Sequence, residues 1–304
     1  MKTIYTSAIF LSFLGLISCS NFDIISPLTS NKKTISFEEK LTANNVQGYE
    51  VKMDQSYGEN RFQKYDLYTP KIDTSISNMK SVTMVMVHGG GWSILDKSFL
   101  NSVVEEYKKK NLNLTIFNIN HRLAGIDGVR FADIMHDFDL FFEHHDSLKT
   151  DLNLSDDVIL WGYSSGGHLA LSYAYQFSKV KIDAVAALVA PTDLTDDYIH
   201  QGIFDDKNRN LTELLIGKPY SENPDAYHEA SPYYFANKNS VSTILIYGGN
   251  DNLVKKEQGE KLNAVLQSKN VKTEFLVIPE ATHDLGDKMG GITDNVISFI
   301  KNVK

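Results

Sequence analysis

From Lys64 onward, short near-continuous apolar runs alternate with stretches in which apolar positions return every three or four residues. The runs predict strands at Lys64–Thr69, Val82–Val87, Leu114–Ile119, Val158–Trp161, Ala184–Val189, Thr243–Tyr247 and Lys272–Ile278. Unbroken apolar runs of this length suit strands covered on both faces. The helical periodicities predict helices at Lys97–Lys110, Phe131–Leu148, Ser165–Phe177, Val254–Ser268 and Asp294–Val303. In the second of these, Ile134, Phe138, Phe141 and Phe142 recur near helical spacing and read as a core-facing stripe. Strands alternating with helices predict an α/β domain, a mostly parallel twisted sheet with helices on both faces. In such sheets function gathers at the carboxyl ends of the strands.

The first residues follow a different pattern. Met1-Lys2 supplies a positive end, and Ile9 to Ile17 an apolar run too short to span a bilayer but suited to a secretory signal. The sole cysteine, Cys19, follows Leu16-Ile17-Ser18, which resembles a bacterial lipobox. Residues 1–18 are therefore expected to be a signal peptide, with lipidation at Cys19 holding the protein to the cell envelope. Several acyl chains anchor stably where one does not. An ordinary signal cut after Ser20, leaving a secreted or periplasmic protein, remains the alternative. Residues 19–45, rich in Ser, Thr, Asn and Lys, read as a tether to a domain spanning 46–304.

Composition narrows the function classes. Lys and Arg total 30 against 38 Asp and Glu, a formal charge of −8, which argues against nucleic-acid binding. One cysteine leaves no disulfide framework and no thiolate metal site. With 304 residues, the chain can bury a core without either.

The chemistry sits just past predicted strand ends. Gly162-Tyr163-Ser164-Ser165-Gly166-Gly167-His168 lies between a strand and a helical pattern. A G-x-S-x-G in that context is a nucleophile elbow, which lifts the Ser164 hydroxyl clear of the sheet beside a helix N-terminus. After the strand Val82–Val87 comes His88-Gly89-Gly90-Gly91-Trp92. Glycines there let backbone N–H groups approach a substrate oxygen, forming an oxyanion hole with the N–H of Ser165. His88 itself reads as a loop brace. A serine nucleophile needs a base and the base an orienting carboxylate. Asp251 follows the strand Thr243–Tyr247 and His283 follows Lys272–Ile278, in the order serine, acid, histidine. Asp284 is an alternative acid, although side chains of adjacent residues rarely aim at one another. His200 and His228 precede Asp251 within a polar insertion.

With these motifs the chain resembles the α/β-hydrolase superfamily, in its HGGGW-type esterase and lipase branch, over roughly Tyr49 to the C-terminus. Supporting stretches are Tyr65 to Pro70, Asn120-His121-Arg122-Leu123-Ala124, Ser164 to Ala170 and Gly249 to Val254. The branch includes carboxylesterases, carbohydrate-esterase-like and kynurenine-formamidase-like enzymes. The resemblance implies an α/β-hydrolase fold with Ser164 as nucleophile, Asp251 as acid, His283 as base, and Gly90, Gly91 and Ser165 as amide donors. It implies no metal and no cofactor. Two departures stand out. The residue before Ser164 is Tyr163 where part of the branch carries an acid, and His121 replaces a common tyrosine. Asp137 and Asp156 read as bracing residues outside the site.

The expected reaction is hydrolysis of a small-molecule or glycan ester through an acyl-enzyme. The expected contact with a membrane is through the lipid anchor alone. Amide hydrolysis, of the arylformamidase or aminopeptidase kind, is the alternative, and an inactive binding module on the same fold a further one. Residues 192–240 are the expected cap. Their aromatics, among them Tyr198, Phe204, Tyr220, Tyr227 and Tyr234, could stack on a substrate or pack the cap down.

Overall fold

The computed structural model describes residues 35–43, 45–73 and 79–303. The expected signal peptide, Cys19 and most of the expected tether lie outside the described residues. Among those described, eight strands form one sheet. They are β1 (Val46–Ser56), β2 (Lys64–Ile72), β3 (Ser81–Val87), β4 (Leu114–Ile119), β5 (Leu154–Tyr163), β6 (Ala184–Leu188), β7 (Ser242–Gly248) and β8 (Thr273–Ile278). Their order is β1-β2-β4-β3-β5-β6-β7-β8. The pairs β1–β2 and β2–β4 are antiparallel, and all pairs from β4 to β8 are parallel.

Side chains alternate across the sheet, and both faces are dry. Val85 and Val87 of β3, Phe117 of β4 and Leu160 of β5 join one core. Met84 and Met86, Ile116, Ile159 and Trp161 of the same strands join the other. That two-sided burial is why these strands read as unbroken apolar runs. The first face is covered by α3 (Phe131–Leu148), α4 (Ser165–Ser172) and α8 (Glu257–Ser268), through Phe138, Leu169 and Leu262 among others. The second is covered by α1 (Phe37–Thr42), α2 (Asn101–Lys109) and α9 (Met289–Lys301), through Leu41, Val104 and Val296. Each such side chain contributes about 1.5–3 kcal/mol of apolar transfer free energy.

Helix α1 corrects the expected tether. Ser36 and Glu39 form a reciprocal capping box, each side chain accepting from the other residue's backbone N–H. Phe37 and Leu41 are buried, and the Lys40 ammonium pairs with Asp157 at 2.7 Å. The packed domain therefore begins by about Ile35, not at residue 46. Its six residues are too few to show periodicity. Two smaller differences have local causes. Strand β1 is an edge strand whose side chains are mostly exposed or half-buried, so it lacks an apolar run. Helix α9 starts at Met289, ahead of the expected Asp294, because Met289-Gly290-Gly291 carries little helical signal.

The register sets the functional edge. Val87 of β3 lies opposite Gly162 of β5, Gly162 opposite Ala187 of β6, Leu188 opposite Ile246 of β7, and Gly248 opposite Ile278 of β8. The loops that follow β3, β5, β7 and β8 therefore leave the sheet from one edge. Between β6 and β7 the chain forms three short α-helices, α5 (Asp197–Gly202), α6 (Leu211–Ile216) and α7 (Pro224–Glu229), and a 3-10 turn at Pro232–Phe235, within the expected cap region.

Candidate active site

Ser164 stands at the turn between β5 and α4 with φ 54° and ψ −122°, backbone that a non-glycine residue adopts only under constraint. The constraint is visible. The Ser164 N–H donates to the Leu188 carbonyl at 2.7 Å, and its own carbonyl accepts from the His168 N–H. Helix α4 then passes so close to β3 that a Cβ on Gly166 would lie 2.2 Å from the Val87 carbonyl oxygen. The glycine is what lets the helix start directly beneath the serine.

Asp251 and His283 arrive from the neighbouring strand ends. His283 Nε2 is 2.9 Å from Ser164 Oγ, and His283 Nδ1 is 2.7 Å from Asp251 Oδ2. The other oxygen, Asp251 Oδ1, accepts from the N–H groups of Leu253 and Val254 at 2.8 and 2.9 Å. A carboxylate only accepts, so His283 Nδ1 carries the proton and Nε2 presents its lone pair to the serine hydroxyl. The Asp251 side chain is fully buried, whereas that of His283 is 22% exposed, open to a ligand. Asp284 turns to its own loop, accepting from the Thr282 hydroxyl and the Gly286 N–H. Its carboxylate makes no hydrogen bond to His283 among the described residues.

The loop after β3 faces the same serine. Gly90 has φ +107°, and a Cβ there would meet the Ile94 carbonyl oxygen at 2.2 Å, so only glycine fits this turn. The Gly90 carbonyl accepts from Ser93 and Ile94, which closes the loop on itself. The N–H groups of Gly90 and Gly91 donate to no acceptor among the described residues. That of Ser165, first residue of α4, has no intrahelical acceptor.

His88 is fully buried and does not reach the serine. Its Nδ1 is 2.7 Å from the Gly89 carbonyl oxygen, and its ring stacks on that of His121. Burial first, then the neighbouring imidazole, lowers its pKa from 6.5 to about 3. Asp137 is buried and accepts from the backbone N–H and Nε of Arg122 and from Gln63. Asp156 pairs with Lys149 at 3.1 Å on the surface. Both lie outside the site.

Two residues matter in ways the sequence pattern does not announce. The Tyr163 hydroxyl donates to the His283 backbone carbonyl, tying the residue before the serine to the histidine loop. Trp92 Nε1 donates to His168 Nδ1 at 3.0 Å, and His168 Nε2 then donates to the Ala230 carbonyl at 2.7 Å. That relay joins the glycine loop, α4 and the segment between β6 and β7. Burial lowers the His168 pKa to about 4, so the ring stays neutral and keeps both bonds. The partners are far apart in sequence, and no local signal could have found them.

These groups open onto a cavity of about 450 Å³, with Ser164 and His283 in its wall. Its lining is mainly apolar, with Trp92, Ile94, Phe99 and Leu211 among its members. Of the cap aromatics, Phe204 lines the cavity. Tyr227 is in the core, Tyr220 stacks on His200, Tyr234 stacks on His228, and Tyr198 lies under the Lys255 ammonium. Among the described residues no group of three or more His, Cys, Asp or Glu side chains could hold a metal ion, and no helix is long and apolar enough to cross a membrane.

A sheet of this order, with a serine on a strained strand-to-helix turn, defines an α/β-hydrolase fold. Residues 65–266 match the model of the BD-FAE family, and the chain belongs to that family of α/β-hydrolase esterases. It is an enzyme of the serine ester hydrolase class. Solved structures share the fold at low identity. A truncated carbohydrate esterase from gut microbiota is 18% identical, with a TM-score of 0.71 over 86% of this chain and 99% of that one. A bifunctional GH43-CE protein of Bacteroides eggerthii is 19% identical, with a TM-score of 0.69 over 83% of this chain but 35% of that one. Esterase B of Lactobacillus rhamnosis is 15% identical, with a TM-score of 0.67 over 84% and 87%. No curated protein matches the chain in sequence.

Proposed function

We propose that the protein hydrolyses short-acyl or carbohydrate-linked esters by a two-step acyl transfer through Ser164. The reading is carried by the hydrogen-bonded line Ser164–His283–Asp251 at 2.9 and 2.7 Å. Ser164 Oγ attacks the ester carbonyl carbon while His283 Nε2 takes its proton. The carbonyl oxygen, now negative, rests against the N–H groups of Gly90, Gly91 and Ser165, each donor being worth on the order of 3 kcal/mol in the transition state. His283 then gives its proton to the leaving alcohol oxygen as the C–O bond breaks. Water, deprotonated by His283, attacks the acyl-enzyme, and collapse of the second tetrahedral intermediate frees the acid and returns the proton to Ser164. Asp251 holds the imidazole in the correct tautomer and favours its charged form. A cavity of about 450 Å³ suits a short acyl group better than a long chain. An envelope lipoprotein, anchored at Cys19, belongs to the same reading and would meet extracellular or periplasmic esters.

The test is Ser164→Ala with a fluorophosphonate probe and a panel of p-nitrophenyl esters beside acetylated and feruloylated sugars. Wild type should label at Ser164 and turn over the short esters. The variant should lose labelling and nearly all turnover while keeping its unfolding transition. Ester hydrolysis by the variant at the wild-type rate overturns the assignment.

A further inference from the structure

The cavity carries a charge pattern that serine chemistry does not require. Among the described residues its wall includes three carboxylates, Asp205, Asp206 and Asp284, and no lysine or arginine. Asp205 is compensated: its side chain accepts from Arg209 Nε and from the N–H groups of Lys207 and Arg209, with the guanidinium 2.6 Å away. Asp206 and Asp284 form no ion pair with a basic side chain among the described residues, and both are exposed. Lys288, near Asp284 in sequence, is taken by Asp287 at 2.8 Å. The charge of Asp284 is felt in the site. After burial, it is the largest influence holding the Tyr163 hydroxyl well above its ordinary pKa.

The rest of the mouth is apolar. Ile94, Leu95, Phe99, Phe204 and Leu253 line the cavity and are each 40–46% exposed. An acyl or alcohol group bearing a carboxylate would leave water there for a surface with no cation to replace its hydration. It would also meet two like charges without an ion-pair partner among the described residues, one in the segment between β6 and β7 and one beside His283. A neutral group gains apolar contact without that cost, and a cationic one is attracted.

We propose that this cavity selects against anionic esters, so that its substrate class is uncharged or cationic esters, with Asp206 and Asp284 as the residues that set the selection. The inference rests on the ester hydrolase reading of the same site. Such selection works by repulsion of the wrong substrate as much as by contacts to the right one.

The test compares, in the full chain, mono-p-nitrophenyl adipate with its methyl ester, which differ in one negative charge. Each rate is normalised to hydroxide-driven hydrolysis of the same compound. Wild type should favour the methyl ester by about tenfold or more in kcat/KM at low salt. The ratio should shrink severalfold in about 0.5 M NaCl, where charges are screened within a few ångströms. Asp206→Lys or Asp284→Asn should shrink it at low salt, chiefly through faster turnover of the acid. Asp206→Asn provides a milder exchange should the lysine disturb the cap. Equal kcat/KM for the two compounds, or a ratio unmoved by all three substitutions, overturns the selection and leaves the hydrolase reading standing. Turnover of neither compound nor of any neutral p-nitrophenyl ester removes the reading itself, and the selection with it.

Discussion

The imidazoles of His88 and His121 stack face to face, with ring centroids 4.6 Å apart and planes within 6°. Each Nδ1 lies 2.7 Å from a carbonyl oxygen, Gly89 for His88 and Arg122 for His121. A carbonyl only accepts, so both rings carry their proton on Nδ1, and both buried Nε2 atoms are lone pairs without a partner among the described residues. The pair holds the base of the glycine loop, as His88 bonds to the peptide just before Gly90. Nearby charges are Asp96 for His88 and Asp137 for His121, neither hydrogen-bonded to the rings. Burial is the dominant influence and lowers both pKa values.

This geometry makes the fold acid-sensitive in a defined window. A histidine whose folded pKa lies below its unfolded value binds protons more readily when unfolded. Its stability contribution is therefore complete above about pH 6.5 and falls as pH drops towards the folded pKa. For His88 that window runs from about 6.5 to about 3, and for His168 and His145, a histidine of α3 also lowered by its burial, from about 6.5 to about 4. Each contributes up to about 1.4 kcal/mol per pH unit, so the protein should unfold before these rings charge in place. Urea midpoints at pH 7, 6 and 5 should fall steeply, and His121→Phe should show a shallower slope although it is less stable at pH 7. A flat profile between pH 6.5 and 5 would contradict the neutral buried pair.

Tyr163 positions the histidine loop through its bond to the His283 carbonyl. Tyr163→Phe keeps the ring, which packs edge-on to His283 at 6.1 Å, and removes only the hydroxyl. One lost hydrogen bond to a part-buried carbonyl costs about 1–2 kcal/mol. If that is felt as misplacement of Nε2, kcat should drop roughly five- to thirtyfold with KM little changed. Steady-state kinetics on a short p-nitrophenyl ester decide it, and an unchanged kcat would reduce the bond to a structural detail.

Helix α1 packs on the sheet face opposite α3, α4 and α8, and none of its residues lines the active-site cavity. Leu41 is completely buried in that core. Leu41→Ala should therefore destabilise the protein by about 2–5 kcal/mol and leave kcat/KM near the wild-type value under folding conditions. A change within about 0.5 kcal/mol in denaturant unfolding, the usual range for exposed positions, would return this segment to the role of a tether.

The central strands and the large helices were legible because their chemistry is local. A strand with two dry faces must be apolar at every position, and a helix over such a sheet must repeat near 3.6. The strained serine turn and the glycine loop were equally legible, since close approach at Gly166 and the reversed backbone at Gly90 leave only glycine. Ser164, Asp251 and His283 each follow an apolar run, so their shared edge could be inferred from strand polarity alone. What escaped lacked such repetition. Helix α1 has one capping box and two buried side chains in six residues, and β1 carries its polar side chains into solvent as an edge.

The sequence by itself determined the α/β alternation, the strained serine turn and the order of serine, acid and histidine, because each depends on residues close together in the chain. Only the tertiary structure decided which candidate acid meets His283. Asp251 reaches it across the β7–β8 pair, while the adjacent Asp284 bonds into its own loop. It also decided that Tyr163 and His168 serve as braces and that, of the cap's aromatics, Phe204 faces the cavity. These partners are separated by up to 120 residues, and nothing in local propensity encodes a contact that forms only when distant segments pack together.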